Sequence, residues 1–380
     1  MIYLDSGATT LEKPPAVARA MAQAVGEMSS PGRGNYPASQ KAARTAYDCR
    51  EAAAELFHVP APEQVIFTCN ATHGLNIAIR TLVRPGCRVA VSGYEHNAVT
   101  RVLHSIPGVE ITVADAPLFR PEQTLEGFRT ALRWGVDAVI CNHVSNVFGC
   151  VQPVEELAGL CRRTHTPLIV DASQSAGILP VLLADWGAAF VAMPGHKGLY
   201  GPQGTGLLLC GAEASPLLYG GTGSASRRQT MPIDLPDRLE AGTHNMPGIA
   251  GLLEGLRFVS HAGVERIAQW ERRLTRRAEE GLARLPGVEV FADKTGQGQT
   301  GVLSFCVKGM DCEQVGEELA RRQIAVRAGL HCAPLAHRTA GTLESGTIRI
   351  SPSVFNTEGQ INFFLREMKE ILRENTKKSV

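Results

Sequence analysis

Between residues 65 and 210, seven short apolar runs recur: VIFT (65–68), RVAVS (88–92), VEITVA (109–114), DAVICNHVS (137–145), PLIVD (167–171), AAFVAM (188–193) and GLLLC (206–210). Helix-like stretches separate many of them. Runs this short and this apolar read as strands of a sheet covered on both faces. The expected fold is therefore α/β, with a large, mainly parallel-sheet domain of the doubly wound kind. The chain has 380 residues, enough for that domain and a smaller α+β C-terminal one.

Helices are expected over 15–28 and 38–57 ahead of the first run, and over 262–285 behind the last. The arginines of the third helix read as its solvated face. Residues 211–247 are rich in Gly, Ser, Arg and Pro and too long for a simple connector, which marks a functional loop. Strands are expected at 288–292, 301–307 and 346–351, with helices over 311–322 and after Thr357, where Gln360 completes a capping-box pattern. The expected division is an N-terminal segment near the active site (1–14), a large domain (15–250) and a small C-terminal domain (251–380). Lys377 and Lys378 read as a solvated tail, with a partner contact as the alternative.

Composition removes several function classes. The formal net charge of +1 carries no footprint for nucleic acid or an anionic membrane. No apolar stretch approaches the ~20 residues that span a bilayer. The start, MIYLDSGATT, lacks the basic and apolar regions of a secretory signal, so a cytoplasmic protein is expected. The ten cysteines include no C-x-x-C pair, so neither a disulfide framework nor a metal site held by this chain is expected. Most of them read as small buried apolar residues.

In open α/β sheets ligands bind beyond the carboxyl ends of the strands, so polar residues there carry the information. Asp171 ends one run. It fits a helix N-cap as well as a cation's partner. Lys197 follows the next run, inside PGHKGLYGPQGTG, where a lone lysine is usually just solvated. The spacing changes the balance, because 26 residues make one helix-and-strand unit and set both side chains at one end of neighbouring strands. A carboxylate for a pyridinium nitrogen and a lysine for a Schiff base are the groups that pyridoxal-phosphate chemistry needs. Asn70, Ala71, Thr72, His73 and Gly74 open a helix after VIFTC, and free amides at a helix N-terminus bind phosphate. His96 and Asn146 follow two further runs; a structural histidine and a turn asparagine are the plain alternatives.

With these motifs the chain resembles the fold-type I pyridoxal-phosphate enzymes of the class V aminotransferase group, and within it the cysteine desulfurases and selenocysteine lyases. The resemblance runs nearly end to end, through YLDSGATT (3–10), NATHGLN (70–76), EHNAV (95–99), SNVFG (145–149), VDASQSAG (170–177), EAGTHN (240–245), VRAGLHCAP (326–334) and IRISPSVFNT (348–357). It implies that Lys197 holds pyridoxal 5'-phosphate, Asp171 meets the ring nitrogen and Gln174 the ring's phenolic oxygen. It implies that His96 stacks on the ring and moves protons. Ala71, Thr72, His73 and His196 serve the phosphate, with Thr243 reaching it from the other subunit of a homodimer. Arg349, Asn146 and Ala8 meet the substrate, and Arg349 clamps its carboxylate. Cys332 attacks the sulfur of L-cysteine, L-alanine leaves, and the persulfide passes to an acceptor. Attack requires a thiolate, for which His331 or contacts of the substrate itself are the two candidate helpers.

The chain departs from the family at two points. Pro194 stands where many relatives have a hydroxyl residue aimed at the phosphate, and proline donates nothing. Leu330 stands where many have a second histidine. Selenocysteine lyase is the nearest alternative activity. A true aminotransferase or β-lyase on the same scaffold comes next, and a non-catalytic cofactor-binding regulator or sulfur-delivery protein last.

Overall fold

The computed structural model describes residues 1–32, 34–296 and 298–378, with side chains through Asn375. The side chains of Lys377 and Lys378 lie outside the described residues. Each of the seven apolar runs carries one strand: β2 (Val65–Thr68), β3 (Arg88–Ser92), β4 (Glu110–Ala114), β5 (Ala138–Asn142), β6 (Leu168–Asp171), β7 (Phe190–Pro194) and β8 (Gly206–Cys210), all following a short β1 (Ile2–Tyr3). They form one sheet in the order β2-β8-β7-β6-β5-β3-β4. All neighbours are parallel except β8, which is antiparallel to both β2 and β7.

Helices cover both faces: α1 (Pro15–Glu27), α2 (Pro37–Leu56), α3 (Ala71–Leu82), α4 (Asn97–His104), α5 (Pro121–Arg133), α6 (Val154–Thr164) and α7 (Leu183–Trp186). This explains the apolar runs. Side chains alternate across a strand, and here both faces meet a core, except along the edge strand β4, most of which is exposed. Val139, Cys141 and Val170 pack in one cluster, and Ile140, Ile169 and Phe190 in the other. Each fully buried Val, Leu, Ile or Phe contributes roughly 1.5–3 kcal/mol.

The second half begins with α8 (Met246–Ala262) and α9 (Val264–Leu282). The expected division near residue 250 falls inside α8, whose Met246, Ile249, Leu252, Leu253 and Leu256 pack into the large core. Beyond it lie β9 (Val288–Phe291), β10 (Leu303–Val307), α10 (Cys312–Arg321), β11 (Ile324–Ala325), β12 (Arg327–Gly329), α11 (Pro334–Thr339), β13 (Thr347–Ile350) and α12 (Glu358–Lys378). An antiparallel sheet in the order β12-β13-β10-β9 anchors this half. The N-terminal segment belongs with it, since β1 pairs with β11 and Asp5 bridges to Ser351. α12 starts with the expected reciprocal cap: Gln360 N donates to Thr357 Oγ1 at 3.3 Å, and Thr357 N to Gln360 Oε1 at 3.1 Å. Among the described residues no helix is long and apolar enough to cross a membrane.

Candidate active site

Strand register lines up the candidate residues. Asn142 pairs with Asp171 and Asp171 with Ala192, while Gly206 sits between Thr68 and Pro194. The carboxyl ends of β2, β5, β6 and β7 thus share one edge. Asp171 closes β6 and is buried; its Oδ1 accepts the Ser173 amide at 2.9 Å. Lys197 follows β7 by three residues. Burial lowers its ammonium to about 8, with the Asp171 charge opposing. A lysine in that range keeps a far larger share of free amine than a solvated one.

His96 caps α4, and its Nδ1 accepts the Ala98 amide at 3.0 Å. Burial lowers it to about 4 against the pull of Asp171. The ring is therefore neutral at pH 7, and because Nδ1 accepts, its proton sits on Nε2.

At the opposite end of this edge, Asn70 caps α3 by accepting the His73 amide at 2.9 Å. This uses one of the expected free amides and leaves those of Ala71 and Thr72 at the helix start. Only glycine fits at 206, because a Cβ there would come within 2.8 Å of the Asn70 carbonyl carbon and Thr68 Oγ1. His196 is fixed by its carbonyl, which accepts Thr10 N and Thr10 Oγ1, each at 3.0 Å. Its buried Nδ1 has no partner, and burial, with Lys197 and Lys13 nearby, lowers the ring to about 4. Pro194 pairs with Gly206 at the end of β7. Thr243 is exposed, on a groove of about 160 Å³ shared with Cys69 and His73.

The small domain brings Arg349, on β13, to the same region. It is 1% exposed. Its Nη2 donates to Asp5 Oδ1 and its Nη1 to the Asn146 carbonyl, each at 2.7 Å, and its Nε is buried without a partner. A Cβ on Gly7 would lie 3.3 Å from the Arg349 guanidinium carbon, which accounts for glycine in that turn. Ala8 follows, with its amide on Asp5 O at 3.0 Å. Gln174 Nε2 donates to Gly7 O at 2.9 Å, so its own carbonyl end is uncommitted by that bond.

Cys332 is exposed. It and His331 both adopt positive φ, 56° and 50°, the strained left-handed region for residues with a Cβ. Two hydrogen bonds across the domains hold the loop: Asn97 N to Cys332 O, and Asn146 Nδ2 to His331 O, both 2.8 Å. His331 does not serve the thiol as expected. It is buried, its Nε2 lies 3.2 Å from the Thr347 carbonyl, and burial together with the Arg349 charge lowers it to about 2. The group at the thiol is Arg327, with Nη2 3.7 Å from Sγ.

Three participants were not singled out from sequence: Asp5, Glu95 and Arg327. All lie inside motifs that stood out, YLDSGATT, EHNAV and VRAGLHCAP, but nothing local distinguishes them from their neighbours. Among the described residues no group of three or more His, Cys, Asp or Glu side chains could hold a metal ion.

Comparison with known proteins agrees with this architecture. The model of the aminotransferase class-V family matches residues 2–364. A probable cysteine desulfurase of Mycolicibacterium paratuberculosis is 32% identical over 98% of this chain, which spans only 55% of that relative's length. A probable cysteine desulfurase of Methanothermobacter thermautotrophicus is 32% identical, over 97% of this chain and 94% of its own. The apo structure of a cysteine desulfurase from Thermococcus onnurineus superposes with a TM-score of 0.89 at 30% identity, covering 98% of this chain and 95% of that one. By fold, by the row of strand-end residues and by these likenesses, the chain belongs to the aminotransferase class-V family.

Proposed function

We propose that this protein is a pyridoxal-phosphate-dependent cysteine desulfurase that converts L-cysteine to L-alanine and carries the sulfur as a persulfide on Cys332 to an acceptor. The observation that carries the reading is the tie between the two domains. An exposed thiol is held, through Asn97 and Asn146, against the segments that follow β3 and β5, beside His96 at the sheet edge that Lys197 shares.

The residues fit the cofactor. Asp171 is a buried acid for the ring nitrogen, Lys197 a buried amine near its titration point, and His196 Nδ1 a buried polar atom without a partner. Lys197 would hold the cofactor as a Schiff base, Gln174 would meet the ring oxygen, and His96 would lie on the ring face. The Ala71 and Thr72 amides and His196 would take the phosphate, joined by Thr243 from the other subunit of a homodimer. When bound, the cofactor supplies the electron sink that makes the substrate Cα–H acidic and loosens its bond to sulfur.

The chain's own residues do the rest. Arg349 takes the substrate carboxylate in a two-pronged grip and releases Asp5 as it does so; Asn146 and Ala8 line that end. The Lys197 amine, once free, moves the Cα proton. His96, with its proton on Nε2, donates to the departing carbon fragment. The Cys332 thiolate attacks the substrate sulfur; an S–S bond forms, the C–S bond breaks, and its electron pair leaves with the carbon fragment. Cysteine plus thiol thus gives alanine plus persulfide, with no external oxidant. The relatives' names favour cysteine over selenocysteine as substrate. A cytoplasmic setting belongs to the reading and suits ten free cysteines.

The test is a single turnover of cofactor-loaded protein with L-cysteine, without reductant. Alanine and a one-sulfur mass gain on Cys332 should appear in equal amounts. Cys332→Ala should keep the visible Schiff-base absorbance and lose both products. Alanine formed by that variant at the wild-type rate would sink the assignment.

A further inference from the structure

Glu95 stands between β3 and His96, with no side-chain exposure, and the mechanism above gives it no task. Its Oε1 lies 2.6 Å from Ser92 Oγ and 2.7 Å from the Asn142 amide nitrogen. Ser92 Oγ also lies 2.8 Å from Asn142 Oδ1 and accepts the Tyr94 amide at 3.2 Å. The Asn142 side chain cannot be turned over. Its Nδ2 donates to Tyr94 O at 2.8 Å and Val144 O at 3.4 Å, so its acceptor oxygen must face Ser92.

Protons can be counted around this ring of atoms. Ser92 has one hydroxyl proton and two acceptors in reach. Given to an ionised Glu95, it leaves Ser92 Oγ and Asn142 Oδ1 as two bare oxygens at 2.8 Å. Given to Asn142, it leaves a carboxylate oxygen 2.6 Å from Oγ with no hydrogen between them. One more proton, on Glu95 Oε1, removes both conflicts. Glu95 then donates to Ser92, Ser92 to Asn142 Oδ1, and the Asn142 amide to Glu95. The remaining oxygen, Oε2, is buried with no partner among the described residues. That vacancy costs far less for a neutral carbonyl than for half of a carboxylate.

We infer that Glu95 is a carboxylic acid in the folded protein and acts as a positioning residue, its proton closing a network that locks His96 to β5 and spares Asp171 a second buried negative charge behind it. The second half rests on Asp171 as the partner of the cofactor's ring nitrogen. The other titratable groups facing Glu95 from packed elements are Asp171 on β6, whose strand neighbour is Asn142, and the buried thiol Cys141 on β5. Burial, with the Asp171 charge behind it, pushes Glu95 up to about 8 against the hydrogen bonds from Ser92 and Asn142. Two carboxylates sharing one buried site do not both ionise.

The test is infrared spectroscopy of protein grown with carboxyl-¹³C glutamate, read at pH 7 before and after cofactor loading. Glu271, also buried and raised to about 8, is removed by Glu271→Gln so that one glutamic-acid carbonyl signal remains. Its presence in that variant, and its loss on adding Glu95→Gln, support the inference. A Glu271→Gln protein with no such signal overturns it, and this arm needs no folding of a Glu95 variant. The second arm follows the visible titration of the Schiff base. Glu95→Gln should leave the midpoint in place, because no charge is removed; a fall of about one unit, the effect of deleting a nearby carboxylate, overturns it. The cofactor-free infrared arm is independent of sulfur chemistry. Failure of alanine release would therefore sink the desulfurase reading and leave this one standing.

Discussion

Lys197 follows a strand in which all five residues are buried, and its amine is itself enclosed; Cys332 lies exposed in a loop where two successive residues take positive φ. The amine is tuned by its surroundings, because burial disfavours the ammonium and the charges of Asp171 and, less, Asp5 resist it. The thiol has the half-buried Arg327 guanidinium beside it, and its loop is held by two hydrogen bonds to the carbonyls of His331 and Cys332. Under the proposed function the difference follows from the two tasks. A covalent cofactor site gains from a rigid, dry floor. A sulfur carrier must reach the substrate on one side and an acceptor on the other, so it cannot be buried.

Lys197→Ala is the harshest test of this separation. It should abolish the Schiff-base absorbance and lower alanine formation by about 1,000-fold or more. Alkylation of Cys332 by iodoacetamide should stay within about twofold of wild type, since surface thiol reactivity follows local charge and access. A parallel fall in alkylation would show that the two regions are one coupled unit.

Loading of the cofactor-free protein should carry the signature of burial. Below about 8 the neutral fraction of Lys197 rises about tenfold per pH unit. Uptake of pyridoxal phosphate should therefore climb about tenfold from pH 6 to 7 and flatten above about 8, where a solvated lysine would keep climbing. Stability has a matching sign. The folded value, about 8, lies below the unfolded one, so in the window between them the unfolded chain binds more protons. Lys197 thus makes the cofactor-free fold more stable as pH rises through that window. A loading curve still rising steeply at pH 9 would mean that the amine is open to water.

The same contrast separates what the sequence disclosed from what it hid. Each apolar run became a strand, and apart from the largely exposed edge strand β4 this is because two-sided burial imposes continuous apolarity, a local signal. The row Asn142–Asp171–Ala192 followed from strand ends, so Asp171 and Lys197 were legible as a pair. The strands β1, β11 and β12 have two or three residues each and carry no periodicity. Helix α8 was hidden behind a glycine-rich loop and mistaken for a boundary. Asp5 on Arg349 joins residues 344 apart, and Arg327 reaches Cys332 only through the turn at residues 331–332. The first depends on how the N-terminal segment docks on the small domain and the second on the shape of one turn, which no local pattern records. Of the two candidate helpers of the thiol, His331 is adjacent in sequence only: the left-handed turn sends its ring into the core.

Arg327→Gln sharpens the account of the loop. It removes the cation 3.7 Å from Sγ and keeps a polar side chain of similar length. Alkylation of Cys332 at pH 7 should slow by about fivefold at most, the worth of an exposed ion pair, with the gap narrowing in high salt. The Schiff-base absorbance should not change. Equal alkylation rates at low salt would leave the thiol's activation to the substrate complex.

Asn146→Ala acts on the seam itself. Its amide holds the His331 carbonyl, while its own carbonyl receives Arg349, so one residue touches both the loop and the carboxylate clamp. The substitution removes the first contact and spares the second, which is backbone. A hydrogen bond of about 1 kcal/mol corresponds to a roughly fivefold change, and alanine release should fall by about that much. The Asn97 amide still holds Cys332 O, so the loop should loosen and not detach. Alkylation of Cys332 should then hold steady or rise while turnover falls. That divergence would show that order in the loop, and not reactivity of the thiol, couples Cys332 to the strand ends. A fall in both would instead place Asn146 with Arg327 among the groups that activate the thiol.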